Sequence, residues 1–316
     1  MRYLTLILAL IAAPVFAAPK ADTVAAYRAI AAQDARLATI GHRLANANAA
    51  FCSHKLGYNP GWVLHDIAQY PDAEAAKAAF GFAQPVEVAF VVSGGDAETQ
   101  GLKAGDGLVR IGNRDIAGFA QSAKPSTERL DAVRTLLDDL WGPNYLAPLR
   151  VQRGGETREL LFQLAPVCAS HFWVDASNKV DAGADGNQVR ITSALIDFVI
   201  SDDELAAVAA HELAHNLLNH PPGSATSRKS KSITTTELEA DRLSMWLLTN
   251  AGYDPQAAIR FWQRCGPKSC VGLFQHPGWK KRVAAIKAEI ELITKTSEQN
   301  GRRDPPLLAA FRPKTL

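Results

Sequence analysis

The order of apolar and polar positions divides the chain into stretches of different period. From Ala21 to about residue 80 the sequence is Ala-rich with apolar residues at helical spacing, which predicts mostly helix, punctuated by Asn59-Pro60-Gly61. From about residue 85 short β-rich runs take over. Val86 to Val92 reads as a strand and Ser93-Gly94-Gly95 as a turn. Leu108-Val109-Arg110-Ile111 reads as a second strand, closed by the turn Gly112-Asn113-Arg114-Asp115. Ser126 to Leu140 has helical spacing. Leu149 to Arg153 and Thr157 to Leu164 predict strands joined across Gly154-Gly155, a hairpin signal.

Further along, Gln188-Val189-Arg190-Ile191-Thr192 alternates polar and apolar residues and predicts an edge strand. Ser201-Asp202-Asp203-Glu204 reads as a capping box, with Ser201 as cap and Glu204 reaching back. Leu205 to Leu218 contains neither Pro nor Gly, and Pro221-Pro222-Gly223 stops the run. A second helix continues past Asp241 to Asn250, where Gly252 and Pro255 end it. Another carries Ile259 to Arg264, and a last one spans roughly Trp279 to Ile293. Past Gly301 the Pro- and Arg-rich tail, 301–316, reads as loose chain. At the other end, Arg2 precedes an apolar run from Leu4 to Phe16, then Ala17-Ala18-Pro19. This predicts a signal peptide over 1–18, cut after Ala17 or Ala18, and a periplasmic or secreted product. The run is too short for a membrane-spanning helix.

Composition changes this picture little. Hydrophobic content of 47% and charged content of 21% are those of a globular protein, and 316 residues suit one or two domains. A net charge of +2 gives no argument for nucleic acid. The four cysteines are an even number in a chain predicted to be exported. Cys265 and Cys270 bracket a turn-rich loop, which leaves Cys52 for Cys168, although four cysteines allow three pairings. No Cys-x-x-Cys spacing supports a cysteine metal site.

The chemistry concentrates in His211-Glu212-Leu213-Ala214-His215. Two imidazoles four residues apart on a helix share one face and can ligate one metal ion, with Glu212 in reach of a water on it. A catalytic zinc needs a third protein ligand and an open position. Glu237 and Asp241, also four apart, supply the best candidates. Glu237 is assigned to the metal, and Asp241 to fixing the tautomer of a ligand imidazole. Thr234-x-x-Glu237 also fits a capping box, in which case Glu237 would only begin a helix. His220 competes as third ligand but lies about 140° round the helix from His215, and reads better as a C-terminal residue favoured by the dipole. Glu239 points away from the Glu237 face, toward solvent.

His211-Glu-Leu-Ala-His-Asn-Leu-Leu-Asn-His220, then Glu237-x-Glu-Ala-Asp241, then His276-Pro277 with Arg282 six residues after the His, resemble the HtpX and CAAX-prenyl-protease family of zinc peptidases, peptidase family M48. The motifs fall in that family's order between about 170 and 295. The resemblance implies one Zn2+ per chain on His211, His215 and Glu237, with Glu212 as catalytic base. It places His276 and Arg282 near the active site, His276 as transition-state helper or fourth ligand and Arg282 as the other candidate helper. It implies a mainly helical gluzincin-type domain over 167–300, with a small edge sheet whose rim holds an extended substrate. Membrane-embedded members carry spanning helices. This chain has none beyond its extreme N-terminus and is similar to the soluble periplasmic branch.

The stretch 81–166, with Gly101-Leu102-Lys103-Ala104-Gly105-Asp106 and the strand after it, resembles a PDZ domain of the bacterial protease type. That resemblance implies binding of extended peptides beside an exposed strand, with Gly81-Phe82 a candidate carboxylate-binding loop. Residues 19–80 would then be a helical region packed on the catalytic domain. The expected fold class is α+β. The expected function is an exported zinc endopeptidase acting on protein or peptide substrates, with envelope protein quality control as a candidate role. The alternative is a latent, chaperone-like binding protein with a metal centre. An intact Glu212 favours the first, because a structural metal site needs no base.

Overall fold

The computed structural model describes residues 20–52, 55–142, 148–220, 230–269 and 278–300. The expected signal peptide, the tail 301–316, Cys270 and His276 lie outside the described residues.

Helix α1 (Ala21–Ala47) buries Leu37, Ile40, Gly41 and Leu44, the i, i+3, i+4, i+7 stripe of an amphipathic helix. The expectation of mostly helix as far as residue 80 fails beyond it. Strands β1 (Leu56–Tyr58) and β2 (Trp62–Asp66) occupy that region before α2 (Ala73–Phe80). The cause is non-local: β2 pairs antiparallel with β3 (Val86–Val91), and β1 with a strand more than a hundred residues away. Asp72 caps α2 by accepting the Ala75 N–H, and Gly81 ends it at φ 77°, a left-handed conformation that suits glycine.

After β3 come α3 (Asp96–Thr99), β4 (Gly107–Ile111), β5 (Arg114–Asp115), α4 (Glu128–Leu140), β6 (Pro148–Arg153) and β7 (Glu156–Leu161). They form an antiparallel sheet in the order β2-β3-β4-β6-β7, with β5 beside β4. Gly154 and Gly155 join the Arg153–Glu156 pair with φ of 55° and 86°, the two positive angles of a type I′ hairpin turn. Val86, Val88, Leu108, Ile111, Leu149 and Val151 pack with Leu130, Val133 and Leu137 of α4 into one hydrophobic core. A buried ion pair locks α4 to the end of β2: Arg129 donates to both oxygens of Asp66, at 2.7 and 2.6 Å. Phe82 of the candidate loop Gly81-Phe82 stacks on His65 of β2, with ring centroids 4.3 Å apart.

Strand β8 (Pro166–Cys168) returns beside β1, with Leu56 opposite Cys168 and Tyr58 opposite Pro166. A disulfide joins Cys52 to Cys168. Cys265 is also disulfide-bonded. The chain therefore leaves and re-enters its first lobe through a two-stranded neck. Strands β9 (His171–Asp175), β10 (Ala182–Ala184) and β11 (Gln188–Thr192) follow, in the order β10-β11-β9. This corrects the edge assignment of Gln188–Thr192. The strand is present with the expected bounds but is central, antiparallel to β10 and parallel to β9.

The chain ends in helices α5 (Ser193–Phe198), α6 (Asp202–Leu217), α7 (Ser230–Asn250), α8 (Gln256–Ser269) and α9 (Trp279–Asn300). A second core joins Leu37, Ile40 and Leu44 of α1 to Val189 and Ile191 of β11, Leu205 and Leu213 of α6, Trp246 of α7 and Ile286 of α9. The described residues form a mixed α+β arrangement with two cores. Among the described residues no helix is long and apolar enough to cross a membrane.

Candidate metal centre

Helix α6 begins where its sequence places it. Ser201 Oγ accepts the Glu204 N–H at 3.2 Å, and Glu204 reaches back one residue further than a capping box requires, to the Ile200 N–H at 3.1 Å. Glu204 is fully buried and paired with Arg264 of α8. A buried carboxylate needs such a partner. The helix is buried from Glu204 to Leu217, so His211, Glu212 and His215 lie in the interior of the lobe. Helix α7 packs against α6, and Glu237 stands well inside it, seven residues after Ser230. Thr234 is therefore within the helix, and the reading of Glu237 as the start of a helix is set aside.

Ligand atoms of His211, His215 and Glu237 all lie within 4.8 Å of one another. The two Nε2 atoms are 3.1 Å apart. Glu237 places Oε2 3.3 Å from His211 Nε2 and Oε1 3.4 Å from His215 Nε2. These residues are 8%, 9% and 1% exposed. Two unprotonated imidazole nitrogens at this separation repel each other unless a proton or a cation lies between them. Two nitrogen ligands of tetrahedral zinc, each at about 2.0–2.1 Å, stand roughly 3.3 Å apart. The donor set of two imidazoles and one carboxylate therefore fits a zinc ion in kind and in spacing.

The surrounding charges are arranged about His211. Its Nδ1 lies 3.2 Å from Asp241 Oδ1. Asp241 is gripped by Arg282 of α9, which donates from Nε at 2.7 Å and from Nη2 at 2.5 Å. Arg282 is fully buried, lies 3.7 Å from the ring centroid of Trp262 and places Nη1 3.5 Å from Glu237 Oε2. Burial and the Arg282 charge pull the His211 pKa down, but Asp241 and Glu237 outweigh them and lift it to about 9 in the metal-free site. Burial raises the Asp241 pKa, and Arg282 and His211 more than reverse this, leaving it below the ordinary carboxylate value. Glu212 is buried and lines a small cavity with His211, Asp241, Phe261 and Trp262.

The sequence model of Peptidase family M48 matches residues 163–233 and 223–290, a span that contains every side chain of this cluster. This part of the chain is similar to peptidase family M48. A comparison with curated proteins finds no match. The matched segment begins near the neck and covers β8 to α8 and the first half of α9, so the likeness to metallopeptidases rests on the lobe that holds the cluster.

Within the matched segment the structure brings together His211, His215, Glu237, Asp241 and Arg282, all named from the sequence. Three further residues were not expected there. His220 Nδ1 is 2.9 Å from His215 Nδ1, and Glu239, placed by the sequence toward solvent, has Oε2 3.3 Å from His220 Nε2. Asn216, fully buried beside His215, accepts the Gly186 N–H at 2.6 Å and donates to the Gln188 carbonyl at 3.0 Å. It pins the β10–β11 turn to the metal helix. The alternation of β11 could not reveal this, because the partner of a buried Asn is set by tertiary packing.

Proposed function

We propose that the protein is an exported zinc-dependent endopeptidase. The observation that carries the reading is the convergence of two imidazoles and one carboxylate on a point small enough for one cation, in a chain segment that matches a metallopeptidase family. His211, His215 and Glu237 would hold the ion. Zinc, when bound, supplies Lewis acidity that acidifies water and polarises a peptide carbonyl. Glu212 takes the proton from the attacking water and passes it to the departing amine nitrogen. Asp241 accepts the Nδ1 proton of His211 and so keeps Nε2 free for the metal. Arg282 holds Asp241 in place. Its burial favours this positioning role over direct contact with substrate.

The gluzincin-type sheet finds support in an edge strand on the metal side. Among the described residues strand β10 carries one neighbour, β11, and packs against α6. An extended substrate would add to β10, held by backbone hydrogen bonds while pockets choose side chains. The PDZ-like reading of the second lobe is supported by β2, a sheet-edge strand with α4 beside it. The loop Asn59-Pro60-Gly61 opens that strand, and Trp62, Arg134, Leu137 and Trp141 line the adjoining groove. The lobe would recruit protein substrates, with Asn59–Gly61 rather than Gly81-Phe82 at the head of the groove. Envelope protein quality control is the role that such a pairing of lobes suits.

The test compares wild type with Glu212→Gln on an unfolded protein substrate. Cleavage should disappear in the variant while about one zinc per chain remains bound. Equal cleavage by both proteins would remove the peptidase reading, and cleavage by neither would favour the latent, chaperone-like alternative.

A further inference from the structure

We infer that His220 and Glu239 are positioning residues for the metal ligand His215, the counterpart of what Asp241 and Arg282 do for His211. The inference rests on the metal reading of the cluster and deepens it. His215 directs Nε2 toward His211 and Glu237, and its other ring nitrogen toward His220. An imidazole that gives its Nε2 lone pair to a metal carries its proton on Nδ1. That proton needs an acceptor, and His220 Nδ1 stands 2.9 Å away. His220 can accept there only if its own proton sits on Nε2. Glu239 Oε2, 3.3 Å from that nitrogen, is the group that holds it there. A single assignment of protons therefore satisfies every bond, from the ligand nitrogen of His215 out to a partly exposed carboxylate.

The backbone delivers His220 to this position. Asn219 has φ 53°, left-handed, just past the end of α6. The His220 N–H bonds the His215 carbonyl at 3.0 Å, and the Asn219 N–H bonds the Asn216 carbonyl at 3.2 Å. These two bonds are the paired hydrogen bonds of a Schellman cap. The cap turns the chain back, so a residue that would lie about 140° away on a continued helix instead packs on the ligand ring, with centroids 5.0 Å apart. The His220 side chain is 8% exposed. A buried imidazole bonded to a ligand imidazole fixes that ligand's tautomer and ring angle, and loss of such a partner typically weakens metal binding by roughly 10–100-fold.

The experiment measures zinc affinity by chelator competition for wild type, His220→Ala, His220→Asn, Glu239→Ala and the double variant His220→Ala with Glu239→Ala. His220→Ala should weaken binding by about 10–100-fold. His220→Asn keeps an acceptor oxygen near the place of Nδ1 and should stay within a few-fold of wild type. Glu239→Ala should give a smaller loss than His220→Ala. The double variant should bind no more weakly than His220→Ala, because Glu239 acts only through His220. The visible spectrum of cobalt-loaded protein should shift in His220→Ala and return in His220→Asn. Zinc binding by His220→Ala equal to wild type, or losses that multiply in the double variant, would overturn the inference and leave the metal site standing. Failure of wild type to bind zinc would remove the metal reading itself. Should His220→Ala not fold, Glu239→Ala carries the test alone at its partly exposed position, where unchanged affinity overturns the inference.

Discussion

His65 sits among Tyr70, Phe80 and Phe82, 4% exposed, with Nδ1 3.1 Å from the Tyr70 hydroxyl. Burial pushes its pKa down from 6.5 to about 4, against the opposing charge of Asp66. The folded state holds this ring neutral, while the unfolded chain protonates it near 6.5. The stability it contributes is present above about pH 6.5 and is lost as pH falls toward 4. The full loss amounts to roughly 3 kcal/mol. Urea unfolding of wild type and His65→Phe at about pH 7 and about pH 4.5 should show a smaller acid loss in the variant; equal losses would dispose of the account. The pairing of His211 with His215 and of Glu237 with Asp241 was legible in the sequence, because spacing along one helix decides which side chains share a face; bringing the two pairs together rested on the metal's need for a third ligand and on the resemblance to the family's motifs. The places of His220 and Glu239 were not legible. Helix geometry puts His220 off the ligand face, and only the reversed chain direction at Asn219 brings it back.

Elements were legible where local signals suffice. The cap at Ser201, the hairpin at Gly154-Gly155 and the helix over α4 all stand within a residue or two of their expected places. Ser201→Ala removes one acceptor from the first turn of α6 and should cost about 1 kcal/mol. Urea unfolding checks this, and an unchanged midpoint would show that Glu204 and Arg264 hold the turn without the cap. The elements that escaped are those defined by their neighbours. Alternation in Gln188–Thr192 announces one buried face but not how many strands flank it, and β11 proved central. Strands β1 and β2 are three and five residues long, too short to interrupt an Ala-rich helical pattern, and they form because distant partners complete them.

At the scale of the molecule, the neck of β1, β8 and the Cys52–Cys168 bond isolates the second lobe between two chain positions 116 residues apart in sequence. Replacing 59–165 by Asn-Gly would join Tyr58 to Pro166, which already face each other, through a two-residue hairpin turn. The shortened chain should still bind about one zinc per molecule while losing the substrate recruitment proposed for the second lobe. Absence of zinc binding would show that the metal lobe depends on the lobe removed. Removing the disulfide with Cys52→Ala and Cys168→Ala should cost about 2–5 kcal/mol in urea unfolding, since it closes a long loop. The two-lobe arrangement was only half visible in the sequence, which drew the boundary near residue 81. Trp62–Asp66 carries no local mark of belonging to the sheet that follows it.

The interleaving of the lobes also sets an order of assembly. Leu37, Ile40 and Leu44 of α1 share a core with residues beyond Val167, so the metal lobe is built from two pieces of chain separated by an entire second core. The inner piece is contiguous and closes short loops, whereas the outer one must wait for its far half. Contacts between distant parts of a chain form late. Pulse-labelled hydrogen exchange during refolding should therefore protect the amides of β3, β4 and β6 before those of α1, and competence to bind zinc should arrive last.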